Sequence, residues 1–510
     1  MSTIISMKSI MIIGGGVSGL SAGIFGLLNG FNVSICEKHS VLGGNLTGWN
    51  RKGYHIDNCI HWLTGTNPKS KDYLNWKKLN AFNDSDIVNL DSFYTAFDEN
   101  GNKISLYSDL EKTKSEMINL SKIDEEEIVS FINGVNEIKM ILGFAGENCN
   151  LNGSLYQNLK GAINLLRYYN LSLGDLSNRF KHPLLKRVIT GFIEKPYSSL
   201  ALMFAYATFS GKNGGVIKGG SLKVAQNLVN RFKSLGGVIY SKSEVIDVKT
   251  TDGEIKNITL SDGKVISSNY YIFATDIETT YYKLLKLPMP KSLNKRLNSN
   301  KMIRFSSIHT AISCDEQNLP FHNEAIIPVS EEYKSIIGLN NLAIREFSYQ
   351  KSFAPNGKNI LQTMTLCNES TAKEWILLKD DIEKYTYKKQ EFFKAVISCI
   401  EKFFPSLKGK LEIIDVWTPL TYNRYFGEKN GSYMSYILPP KTILAPCSNK
   451  IKGVKNGIIC SQWLQPIGGL PIALNSGKRG IETIKKLIKT ERDTPLIIKE
   501  KNNKKVLKKI

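Results

Sequence analysis

The chain has 510 residues, enough for two or three domains with substantial cores, and its 42% hydrophobic content is ordinary for a soluble globular protein. The most apolar stretch, Leu200 to Phe209, is far below the ~20 residues that cross a bilayer, and the N-terminus lacks the cationic start and cleavage site of a signal peptide. The formal charge of +21 comes with Lys, Asn and Ile throughout, so composition alone raises the pI, and no basic-aromatic interleaving supports a nucleic-acid partner.

In chain order, Ile10 to Ile13 reads as a short strand that runs into Gly14-Gly15-Gly16-Val17-Ser18-Gly19. Gly14 permits a tight turn, Gly16 lets the backbone approach a pyrophosphate, and Gly19 opens a small-residue helix face continued by Ala22, Gly23 and Gly26. The helix N-terminus then faces the phosphates, and Gly30 ends the helix. The next strand, Phe31 to Cys36, delivers Glu37 about 20 residues after the glycines, the spacing at which a carboxylate meets the adenosine ribose. Six residues on stands Gly43-Gly44, which resembles the extension seen in flavoproteins that bind FAD. The chain contains no second GxGxxG, so a separate NAD(P)H module is not expected.

From about Asn80 to Gly211 the pattern is helical, with Glu125 to Ile141 and Gly161 to Tyr169 as examples, and few strand signals. Gly219-Gly220-Ser221 opens another helix, Leu222 to Leu235. Strands Val238 to Tyr240, Val245 to Lys249, Ile255 to Leu260 and Tyr270 to Ala274 follow, turned at Asp252-Gly253 and Asp262-Gly263. Between about Tyr282 and Lys450 longer alternating strands, such as Phe305 to Ser313 and Asn359 to Cys367, surround a long helix from Asp380 to Phe404 stopped by Pro405. Gly457 to Ser461 reads as a strand, and Gly468-Gly469-Leu470-Pro471 opens a helix from Ile472 to Lys489.

The predicted fold is therefore α/β: a discontinuous Rossmann-like FAD domain (1–80, 212–282 and 452–490) and a second α+β substrate domain on an antiparallel sheet with a helical insertion (81–211 and 283–451), followed by a basic C-terminal tail (491–510). From Lys485 onward ten Lys or Arg residues stand against three acids. Such a cluster suits an anionic membrane surface, at about 1 kcal/mol per cation. The eight cysteines show no CxxC and no metal-ligand spacing to the six histidines, so reduced thiols, no metal and a cytoplasmic location are expected, with peripheral contact at the inner membrane surface as an option. Oligomeric state is left open.

These motifs, in this order, resemble the phytoene desaturase, carotenoid isomerase and retinol saturase group of FAD-dependent oxidoreductases, a branch of the amine oxidase-like flavoproteins. Tyr54 to Asp57, Gly219 to Leu228, Ala274 to Asp276, Thr418 to Thr421 with Tyr425, and Trp463 to Gly477 carry the likeness beyond the fingerprint. The resemblance implies FAD held by Gly14, Gly16, Gly19, Glu37, Gly43, Gly44, Val245 and Ala274. It also implies that Gly468, Gly469 and Leu470 pass beneath the isoalloxazine ring. The implied reaction acts on C–C single or double bonds of an apolar polyene, isoprenoid or related lipid. The family's aspartate, one residue and glycine-proline are replaced here by Asp57-Asn58-Cys59-Ile60-His61-Trp62, so the chemistry beside the flavin is open to change. His61, His55 and Asp57 are the candidate catalytic residues, with Asp175 and Arg179 placed only by rough position. Phe204, Tyr206, Phe209, Trp417, Tyr422 and Tyr433 are candidate tunnel lining. The alternatives are a flavin amine oxidase-like enzyme, a fatty-acid double-bond isomerase or hydratase, and a non-enzymatic prenyl-binding protein, the last of which predicts loss of the phosphate glycines.

Overall fold

A computed structural model describes residues 7–141, 166–191, 193–299, 302–316, 319–434, 436–442, 445–466 and 468–506. Cys149 and the first half of the helical pattern from Gly161 lie outside the described residues. The fingerprint strand Ser9–Ile13 is the middle of a five-stranded parallel sheet in the spatial order Val238–Tyr240, Asn32–Cys36, Ser9–Ile13, Tyr270–Phe273, Gly457–Ile459. Strand alternation divides its apolar residues between two cores. Ile10, Ile12, Val33 and Ile35 pack with Phe232, Leu474 and Ile481 under the helices. Met11, Ile13 and Phe273 pack with Val245, Ile255 and Ile258 of a three-stranded antiparallel sheet on the other face.

The small residues of the fingerprint helix Val17–Leu28 set its depth. A Cβ on Gly23 would lie 2.6 Å from the Phe232 ring, and one on Gly477 of the closing helix would lie 2.5 Å from the Ala22 nitrogen. Neighbouring helices thus meet almost backbone to backbone, which pins the glycine loop over the strand ends.

The second sheet has seven strands in the order Glu412–Trp417, Ser306–Asp315, Lys358–Cys367, Asn341–Glu346, Glu324–Pro328, Ser92–Phe97, Lys103–Tyr107. It is antiparallel except where Ser92–Phe97 runs parallel to Glu324–Pro328. The hairpin from Ser92 to Tyr107 falls in the stretch expected to be helical. All six residues of Ser92–Phe97 are buried, so the strand carries no period-two polarity to read. The helical part begins afterwards, with Leu110–Leu120 and Glu125–Ile141, and includes the almost wholly buried helix Ser199–Ser210. The long helix runs from Ile382 to Phe403 with Asp381 as its cap. The closing helix, Gly469–Val506, is longer than expected and takes in most of the segment read as a tail.

A two-stranded ribbon, Gly48–Arg51 with Tyr54–Asp57, ties the two sheets together. Trp49 Nε1 donates to Asp415 Oδ2 at 3.0 Å, and Arg51 pairs with the same carboxylate at 3.2 Å. With its amide turned to match, Gln362 of the large sheet bonds both the N–H and the C=O of Asp57, at 3.0 and 2.9 Å.

Candidate functional site

The glycine loop is built as its spacing demands. Gly14 has φ +104°, and a Cβ there would lie 2.6 Å from the Ala274 carbonyl oxygen, so both conformation and space require glycine. Gly16 is different: a Cβ would meet only the Cα of Gly44, at 3.9 Å, and otherwise point into open space. The helix that follows has no side-chain cap and no acid in its first turn, so its leading N–H groups open onto that space. Gly43 N–H donates to the Gly15 carbonyl at 2.9 Å, laying the glycine pair beside the loop. Glu37 is buried at the end of its strand, with Oε2 accepting from Gly15 N–H at 2.8 Å and Oε1 from His39 N–H at 2.9 Å. Both oxygens keep lone pairs for further donors.

These residues wall a cleft of about 810 Å³ between the two sheets. Gly14, Gly16, Glu37, Gly43, Gly44, Val245, Ala274, Gly469 and Leu470 all line it. Gly19 does not; it sits behind the loop, where a Cβ would strike the Gly14 carbonyl, and it serves the turn through packing. Gly468, with φ +61°, is likewise absent from the lining. An open cradle at Gly16, an exposed helix start and a fixed carboxylate fit the pyrophosphate and ribose of a dinucleotide.

Aromatic side chains from the second sheet and its helices complete the cleft. Tyr422 stacks on Tyr433 with centroids 4.9 Å apart, and Trp417 stacks on His309 at 4.9 Å. Of the candidate lining residues, Trp417, Tyr422 and Tyr433 are on the cleft. Phe204, Tyr206 and Phe209 are not; they belong to the helical core, where Tyr206 donates to the Tyr107 carbonyl at 2.8 Å.

Also on the cleft lie Asp276, Glu428 and Trp463, backed by buried Arg304. Glu428 Oε1 accepts from Trp463 Nε1 at 3.0 Å, whereas Glu428 Oε2, Asp276 Oδ2 and the Arg304 nitrogens make no hydrogen bond among the described residues. Burial first, and then Asp276, push the Glu428 carboxyl well above the usual range. This cluster carries no local sequence signal, because its members come from four separate segments.

The candidate catalytic residues divide. Asp57 is fully engaged: its carboxylate accepts from Ser221 N–H at 2.8 Å, from Ser221 Oγ–H and from Cys59 N–H at 3.1 Å. It fastens the helix Gly220–Ser234 to the two-stranded ribbon, an architectural task. His55 lines neither the cleft nor the chamber described next; its Nδ1 bonds Asn50 Oδ1 at 2.7 Å, its ring packs 4.5 Å from Phe353, and burial lowers its pKa. Asp175 caps the helix Leu173–Ser177, and Arg179 pairs with Glu127 at 3.5 Å, both away from the cleft.

His61 lies in a small chamber lined by Asp57 to His61, His309, Glu324, Ala343, Arg345 and Gln362 to Met364. Asn58 and Cys59 line both the chamber and the cleft. Burial, Arg345 and His309 hold the His61 pKa well below 6.5, so the imidazole is neutral and is not a ready proton donor. Its neighbour Glu324, with Oε2 at 3.8 Å, is better poised: burial pushes this carboxyl up to about 7, with Arg345 offsetting part of the rise. Because folding raises this pKa from 4.5 to about 7, the protonated form stabilises the fold fully below 4.5, and that contribution is lost as pH rises to about 7. Glu324→Gln is therefore expected to match wild type near about pH 4 and to exceed it by up to about 3 kcal/mol near about pH 8, measured by denaturant unfolding. An unchanged difference across that range would show that Glu324 titrates as an exposed acid.

The family model for flavin-containing amine oxidoreductases matches residues 17–456. The 4,4'-diaponeurosporene oxygenase of Staphylococcus haemolyticus is 22% identical over 94% of this chain and 98% of its own length. That of Staphylococcus aureus is 25% identical over the same shares. Among solved structures, an oxidoreductase from Methanosarcina mazei aligns with a TM-score of 0.61 at 14% identity, covering 94% of this chain and all of its own. Cyclohexylamine oxidase from Brevibacterium oxydans gives 0.56 at 12% identity, covering 95% and 100%. The fold is thus that of FAD-dependent oxidoreductases, and the chain belongs to the family of flavin-containing amine oxidoreductases, with FAD as its cofactor.

Proposed function

We propose that this FAD-dependent oxidoreductase acts on an apolar polyene, isoprenoid or related lipid, at its C–C single or double bonds. The observation that carries the reading is the end-to-end likeness to enzymes named for oxygenation of a polyene, joined to an aromatic wall of Trp49, Trp417, Tyr422 and Tyr433 on the cleft. FAD supplies hydride acceptance or donation when bound. Gly14, Gly16, Glu37, Gly43, Gly44, Val245 and Ala274 would hold it, with Gly469 and Leu470 on the same cleft. The aromatic wall orients a flat conjugated chain and keeps water out. Tyr422 and Tyr433 are in direct stacking contact, so this pair leaves no slot for an amine nitrogen between its rings.

Anaerobic titration of the flavin-loaded protein with linear polyenes, unsaturated fatty acids and amines tests the proposal. Bleaching of oxidised flavin, or recolouring of reduced flavin, by polyenes is expected. Response to amines alone would overturn it.

The same proposal includes contact with an anionic lipid surface through the ten cations from Lys485 onward. Among the described residues no helix is long and apolar enough to cross a membrane. Co-sedimentation with phosphatidylserine vesicles at low salt, lost at high salt, is the expected result. Equal recovery with neutral vesicles would remove this part.

A further inference from the structure

The chamber around His61 is polar where a tunnel for a hydrocarbon would be greasy. Glu324, Arg345 and Gln362 are successive cross-strand partners on three adjacent strands of the large sheet, so their side chains form one row on one face. Gln362 is spent on the Asp57 backbone. Arg345 is half spent: Nη1 donates to the Ile60 carbonyl at 2.7 Å and Nη2 to Tyr349 Oη at 2.5 Å, and the guanidinium lies 4.7 Å over the Phe347 ring. A guanidinium has five N–H groups, so donors remain. The Glu324 carboxyl makes no hydrogen bond among the described residues; His61 at 3.8 Å is its ionic neighbour and is too far to be a hydrogen-bond partner.

This row is not sealed from the cleft. Asn58 and Cys59 line both spaces, and Asn58 Oδ1 accepts from Tyr422 Oη–H at 3.0 Å. Met364 of the chamber meets Tyr433 of the cleft wall, with Oη to Sδ at 3.3 Å. The chamber's volume is about 10 Å³, room for the centre of one water-sized group. Its cationic donors are the remaining Arg345 N–H groups; the neutral His61 imidazole offers one N–H and one acceptor nitrogen, and the Glu324 carboxyl, which burial keeps partly protonated, offers one O–H in its protonated form. An ammonium group would meet the fixed charge of Arg345, which only the ionised fraction of Glu324 offsets. A purely hydrocarbon end would leave buried polar groups unmet, at about 1–3 kcal/mol each.

We propose that this chamber takes a hydrogen-bond-accepting oxygen at the end of the substrate, a carbonyl or carboxylate, with Arg345 as the principal donor and His61 and Glu324 beside it. The site selects oxygenated over hydrocarbon isoprenoids. This rests on the reading of the cleft as a polyene site and adds the end group that the cleft prefers.

The test is titration of the FAD-loaded protein with three ten-carbon isoprenoids, myrcene, geranial and geranic acid, followed by perturbation of the flavin's visible spectrum. Geranial or geranic acid is expected to bind at least tenfold tighter than myrcene, and Arg345→Met is expected to reduce that preference to under twofold. Glu324→Gln, which removes the competing anion and keeps a donor, is expected to tighten geranic acid severalfold while holding the preference for geranial. Equal wild-type affinities would overturn the proposal and leave the chamber to a water molecule, and so would a preference that survives Arg345→Met. If Arg345→Met does not retain flavin, the wild-type ratios and Glu324→Gln still decide. Turnover of a hydrocarbon polyene with no preference for oxygenated probes would sink the chamber alone. Preference for oxygenated probes with no polyene turned over would sink the substrate reading and leave the chamber standing.

Discussion

Gly16→Val is expected to yield a folded protein that purifies without flavin, its affinity for FAD reduced by at least about 100-fold. The reason lies in what surrounds this glycine. Its φ of −72° is open to any residue, and a Cβ would find only Gly44 Cα at 3.9 Å, so the substitution has no protein atom to displace. The valine methyls instead project into the cleft beside the uncapped helix start, where the pyrophosphate must approach. Gly14 and Gly19 make the contrast: a side chain at either strikes backbone, so their replacement damages the fold as well as the site. Circular dichroism with the 450 nm flavin band separates the two cases. A Gly16→Val protein with full flavin occupancy would show that the loop has no part in binding FAD.

Asp57→Ala is expected to destabilise the protein by about 3 kcal/mol or more, with the loss seen in unfolding before it is seen in chemistry. The buried carboxylate receives three hydrogen bonds, two of them from Ser221, 164 residues further along the chain. Its removal leaves buried N–H donors without partners and detaches the start of the helix Gly220–Ser234. Gly220, with φ +66°, has no room for a Cβ because the Asp57 carboxylate fills that place, so the two residues are one joint. Asp57→Asn, which keeps one acceptor oxygen, is expected to lose roughly half as much. Should Asp57→Ala unfold like wild type while turnover disappears, the carboxylate would belong to the reaction and not to the joint.

Legibility in the sequence followed the range of the contacts involved. The dinucleotide loop was readable because its requirements are local: turn, close approach and helix start fall within Gly14 to Gly26, and Glu37 follows one strand later. The Asp57 position was visible and its task was not, since Ser221 and Gln362 reach it from other parts of the chain. His61 was legible as a histidine near the cleft. Its neutral state was not, because Arg345 and His309, which help to lower its pKa, stand on strands more than two hundred residues later. Glu324 and Arg345 resemble any charged residues at strand ends until cross-strand register sets them side by side. The strand Ser92–Phe97 failed to announce itself for the opposite reason: burial on both faces removed the alternation that marks a half-exposed strand.

The parallel sheet around Ser9–Ile13 has a temporal meaning as well. On the ribosome its first two strands emerge early, yet the strand that pairs with the other side of Ser9–Ile13 begins at Tyr270, and the edge strand begins at Gly457. Ala274, whose carbonyl closes over Gly14, and Gly477, which seats the glycine helix, are made later still than the loop they support. A nascent chain therefore carries its phosphate loop without the surfaces that shape it until those later segments are made, with Ile10, Ile12 and Val33 lacking their partners meanwhile. Cofactor capture becomes an event that waits for the segment around Gly477, and FAD, by binding only the folded state, adds its affinity to the stability of chains that have reached it.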